Sequence, residues 1–132
     1  MTSMNFNTQI ATTREQSERL LALGVKPETA DMSIVVKDAT GHPLSTRPYH
    51  DWNTYWKNHG YVIPSWSLSR LLEMMPEIVG ELKFKIMYPV VGYFCSETGY
   101  FYSEADIFEN CIEMIAWLIN NGHFNKEYLK QE

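Results

Sequence analysis

The chain has 132 residues, 45% hydrophobic and 20% charged, the composition of one folded domain rather than of a disordered chain. Its net charge of −5 argues against binding dominated by nucleic-acid phosphates, which needs clustered Lys and Arg. Two cysteines, Cys95 and Cys111, are too few for a disulfide framework, and no apolar run approaches the roughly 20 residues of a membrane span.

Residues 1–11 are polar and aperiodic and read as a flexible arm. They lack the basic and then apolar regions of a secretion signal, which points to a cytoplasmic protein with reduced thiols. A first helix follows. Thr12 with Glu15, or Thr13 with Gln16, forms a capping box, and Leu20, Leu21 and Leu23 make the apolar side. Gly24 stands where a left-handed residue closes a helix, so that Val25 folds back onto Leu20. Pro27 opens one further helical turn.

Residues 32–37 predict a strand with Met32, Ile34 and Val36 on one face. A turn at 38–41 and a partner strand around 43–46 would complete a hairpin. The segment 47–63 is crowded with aromatic rings, and Asp51 to His59 has the length of a short helix closed by Gly60. Ser65 or Ser67 caps a clearer helix carrying Leu68, Leu71, Leu72 and Met75 on one side, which Pro76 stops. Leu82, Phe84, Ile86 and Tyr88 alternate with Lys83, Lys85 and Met87, a strand with one buried and one wet face. A turn at 89–92, a returning strand at 92–96, a second turn at 97–99 and a third strand at 100–102 lead into the last helix.

That helix spans Ser103 to Gly122, with Ser103 and Asp106 at its cap. Ile107, Cys111, Met114 and Leu118 form one apolar row, and Phe108, Ile112, Ile115 and Ile119 form a second. The merged stripe is wider than the roughly 100° of a surface helix and calls for a broad apolar partner, most simply a sheet. The expected architecture is α+β. Residues 12–132 form a single domain whose small antiparallel sheet, of about four to five strands, is covered on one face by the long helix and two shorter ones.

Three blocks, TTREQSERLLALGVKPETADM, PSWSLSRLLEMMP and CIEMIAWLINNG, resemble those of a group of small bacterial and phage proteins. That group carries a T-x-E-Q-S-x-x-L-x-x-L-G start, a P-A-W-S-L-x-x-L-L-x-x-x-P middle and a C-x-E-M-I-x-W-L end. The blocks cover about a third of the chain, and residues 37–63 have no counterpart. The group has no established activity, so the resemblance implies a setting (bacterial, intracellular, carried on mobile elements) and no mechanism.

No motif for a metal, a cofactor, a phosphate loop or a nucleophile stands in the chain. In the sharpest reading His50 and His59 meet across a turn with Asp51 as a third metal ligand, and the same residues with the acidic face of the last helix would serve a small ligand-binding protein or minor enzyme; the plainer reading makes the histidines solvated loop residues. Ser65, Ser67 and Ser69 are explained as caps and helix-surface residues, and Cys111 as a packed hydrophobe. Asp106, Glu109 and Glu113 share a helix face, read either as a cation site or as a solvated face.

The aromatic residues Tyr49, Trp52, Tyr55, Trp56, Tyr61 and Trp66 fall within eighteen positions, and Trp117 points to the polar side of its helix. Some of these rings fill the core. Those left outside, with Tyr49, Trp52, Tyr55, Trp56, Trp66 and Trp117 as the candidates, would form an amphipathic surface for a protein partner or for a second copy. The favoured expectation is a non-enzymatic interaction module without cofactor or membrane contact. A nucleic-acid-linked regulator is a further alternative.

Overall fold

The computed structural model describes residues 9–35, 48–50, 62–96, 98–103 and 105–130. Helix α1 (Arg14–Ala22) starts at Thr13, whose hydroxyl accepts from the Gln16 amide at 3.2 Å while the Gln16 side chain accepts from the Thr13 amide at 3.0 Å. Of the two capping boxes offered, this one forms because Thr12 is engaged elsewhere. Its hydroxyl lies 2.7 Å from Ser17 Oγ and accepts from the Trp66 amide, and its own amide donates to the Trp66 carbonyl. Ala11 is buried and bridges to Ser67, so residues 9–11 are held against the domain; the rest of the expected arm lies outside the described residues. At the other end Gly24 adopts φ +98°, and the Gly24 and Val25 amides donate to Leu21 and Leu20, the expected Schellman closure.

After one 3-10 turn (Pro27–Thr29), β1 (Met32–Val35) is the central strand of a three-stranded antiparallel sheet between β2 (Pro48–His50) and β3 (Val62–Ser65). The partner strand expected at 43–46 and the helix expected at 51–59 lie outside the described residues. β3 escaped the sequence pattern because Pro64 argues against a strand; it is tolerated here because β3 is at the sheet edge. Ser65, offered as a helix cap, is therefore a strand residue. Ser67 caps α2 (Leu68–Met74), accepting from the Arg70 amide at 3.1 Å, and Met75 turns extended before Pro76.

A second antiparallel sheet follows as a meander, β4 (Ile78–Val79), β5 (Leu82–Met87), β6 (Val90–Phe94) and β7 (Gly99–Tyr102). The fold is α+β as expected, but the described strands divide between two sheets, since α2 separates β3 from β4. The β5–β6 turn is the pair Tyr88-Pro89, two residues tighter than expected, with a cis peptide and Met87 opposite Val90.

Helix α3 (Ile107–Asn120) begins at Asp106, which accepts from the Glu109 amide; Ser103 lies outside it. Both expected rows point inward, every member buried except the half-buried Ile119. The helix lies on β6 and β7, where Val91 and Tyr93 are buried, rather than on β5. Hence Lys83 and Lys85 are wet as expected, while Leu82 and Phe84 are only half-buried and Ile86 and Tyr88 are exposed. Gly122, at φ +74°, closes α3, and the chain returns to pair Leu129 with Val25. The core joins Leu20, Trp66, Leu71, Met74, Tyr93, Phe108, Ile112, Ile115 and Leu118. Among the described residues no helix is long and apolar enough to cross a membrane.

Candidate interaction surface

Trp66 does not belong to a surface. It is fully buried, and its indole N–H donates at 2.9 Å to the Thr29 hydroxyl, which in turn donates to the Lys26 carbonyl. An indole with its polar atom satisfied internally is a core residue. Trp117 is half-buried. It stacks on Tyr100 at 4.8 Å and on Tyr93 at 6.4 Å, with His123 at 5.6 Å on the helix-closing turn. Its polar-side position is thus explained by a column of rings from β6 and β7. Trp52, Tyr55, Trp56, Asp51, His59 and Tyr61, with the side chains of Tyr49 and His50, lie outside the described residues.

The acidic row of α3 corrects both readings offered for it. Asp106 is the cap. Glu109 accepts from Gln16 Nε2 at 2.8 Å and from Arg19 Nη1 at 2.6 Å, and Glu113 accepts from Arg19 Nη2. Residues three apart on α1 meet residues four apart on α3, so the row is a clamp between helices. Burial works against the Arg19 charge, but Glu113 and Glu109 outweigh it and raise the pKa. Among the described residues no cluster of three or more His, Cys, Asp or Glu is placed to hold a metal ion. Burial, with Asp106 adding to it, pushes the Cys111 thiol up to about 12, so the group is a neutral, packed hydrophobe; Cys95 is exposed.

The surface that sequence reasoning missed is the outer face of the four-stranded sheet. Strand register places Lys83 opposite Phe94 and Phe94 opposite Gly99, then Lys85 opposite Gly92 and Gly92 opposite Phe101, then Met87 opposite Val90. Each phenylalanine therefore faces a glycine. A Cβ on Gly92 would lie 2.5 Å from Phe101 Cβ, and one on Gly99 would lie 2.6 Å from Phe94 Cδ1. The glycines let the two rings lie along the sheet, stacked on each other at 5.5 Å and 21°. Phe101 is 53% exposed and Met87 62%. Lys83 and Lys85 make no ion pair among the described residues. The signal was present as apolar residues on positions that alternation assigns to solvent, but only the register shows that they share a face.

The two edges of this sheet differ. β4 has two residues and lies between the acids Glu77 and Glu81. β7, with the sequence GYFY, is uncharged and aromatic, and no described strand pairs with its outer side. Natural edges are usually shortened or charged against unwanted pairing. β4 follows that rule and β7 does not. Alongside β7 a cavity of about 530 Å³ opens against α3, with Phe101, Tyr102, Asn110, Glu109 and Glu113 among its walls. Asn110 is buried and braces this corner, donating to the Pro89 and Ala105 carbonyls.

No family model, curated protein or solved structure matches the chain. The geometry alone carries the functional argument.

Proposed function

We propose that this chain is a small, non-enzymatic intracellular interaction module, of the bacterial or phage setting that its three sequence blocks imply, which binds a protein partner or a second copy through the exposed side of its four-stranded sheet. The observation that supports this most is β7, an uncharged aromatic edge strand with no partner strand among the described residues, continuous with the exposed Met87 and Phe101 and the half-buried Phe94. Exposed apolar area of this kind is costly in water and is characteristic of contact surfaces. The same rings with Lys83 and Lys85 offer a base-stacking platform, but two lysines in a chain of net charge −5 fall short of the clustered charge that phosphates need. The reading as a ligand-binding protein or enzyme rests on the acidic face of α3 together with His50, Asp51 and His59, of which Asp51, His59 and the His50 side chain lie outside the described residues.

Solution mass tests the proposal. A tagged chain expressed at low level in a bacterial host and gently purified is expected to run above its single-chain mass of 15.4 kDa. The variant Phe101→Lys, with unchanged circular dichroism, is expected to fall to that mass. A wild-type chain that runs alone, or a variant that keeps the larger mass, contradicts it.

A further inference from the structure

We infer, building on the interaction-module reading, that the edge of β7 takes an extended, basic segment of a partner protein as an added strand. Strand addition uses the free main-chain groups of an edge and leaves alternate side chains of the guest to choose the partner. At β7 one set of guest side chains points to the α3 side of the sheet and the other to the outer side, beside Phe101. On the α3 side lies the cavity with Glu109 and Glu113 in its wall. One guanidinium, Arg19, stands against these two carboxylates, which leaves the pair one negative charge in excess. Long cationic side chains reaching into that space would complete the balance, and the chain's charge of −5 favours a basic guest at longer range.

A second copy is the poorer occupant. Antiparallel pairing of β7 with its twofold mate places both α3 helices on the same side of the joined sheet. The two acidic rows then approach each other without added positive charge. A basic peptide meets no such repulsion.

The test begins with selection from a displayed library of random peptides of about ten residues, at low salt. The best selected sequence is then synthesised and titrated into the chain while backbone amide resonances are followed. Selected peptides are expected to carry Lys or Arg at every second position. Shifts are expected in Gly99–Tyr102 and around Glu109 and Glu113. Affinity should fall as salt is raised. Glu113→Gln should weaken binding about two- to fivefold, the size expected for a partly exposed ion pair, while Lys126→Gln, at an exposed position away from the sheet, leaves it unchanged. Failure to select any peptide, enrichment of acidic or helical-period sequences, or a dimer formed through β7 would each overturn the inference. Shifts confined to Met87, Val90 and Phe94 would overturn it too, yet leave the interaction-module reading standing on the outer face.

Discussion

Gly92 of β6 lies directly across from Phe101 of β7, so close that a Cβ on Gly92 would fall 2.5 Å from Phe101 Cβ and 2.6 Å from the Tyr100 carbonyl oxygen. These are backbone and near-backbone atoms, which cannot rotate away. Gly92→Ala should therefore force β6 and β7 apart and lower stability by about 1–3 kcal/mol, the usual cost of overpacking. Urea unfolding followed by circular dichroism measures this. A neutral result would mean that the two strands do not meet in this register.

Arg19 and Glu113 couple helices that are far apart in the chain. All three members of the Arg19–Glu109–Glu113 group are partly exposed, so solvent screens their attraction. A double-mutant cycle with Arg19→Ala and Glu113→Ala should give a coupling of about 0.2–1 kcal/mol, shrinking as salt is added. A coupling of zero at low salt would show that the clamp does not hold α1 to α3.

The Cys111 thiol carries a signature in alkali. Its pKa rises from an ordinary 9.0 to about 12 in the folded chain. Between these values the unfolded chain gives up the proton and the folded chain keeps it. The thiol's contribution is thus complete below about pH 9 and declines above it by up to about 1.4 kcal/mol per pH unit until about pH 12. Burial raises the Tyr93 phenol in the same sense from 10.0, so that group joins the decline only above about pH 10. In Cys111→Ala the dependence between about pH 9 and pH 10 should flatten, whatever the variant's stability at neutral pH. Urea midpoints across that interval decide it; an unchanged slope would mean that the thiol is open to water.

Two tryptophans that look alike as sequence should behave differently. Trp66→Ala removes a fully buried ring and the N–H from which the Thr29 hydroxyl accepts, for a loss of about 3–5 kcal/mol. Trp117→Ala opens a half-buried stack between Tyr93 and Tyr100, for about 1–3 kcal/mol. Equal losses would contradict the ring column.

The local rules were readable in the chain. Thr13 with Gln16, Gly24 with Val25, and the double row from Ile107 to Ile119 each depend on neighbours within a turn or two of helix. What escaped depends on distant partners. Glu109 and Glu113 are visible as a row, but their facing Arg19 is about ninety positions away, and no spacing reveals it. Trp66 could not be separated from its aromatic neighbours until its indole met Thr29. The outer sheet face was hidden for a stricter reason. Alternation tells which residues share a face within one strand, whereas the register between β5, β6 and β7 decides which rows align, and a one-residue slip reverses every side chain.

The central claim is that β7 and the face beside it are where this chain meets another protein. A photo-crosslinking amino acid placed at Phe101, and at the exposed Lys126 as a control, reads this directly in living bacterial cells. The account predicts a discrete cross-linked species from position 101 and none from position 126. Equal labelling at both positions, or none at 101, would contradict it.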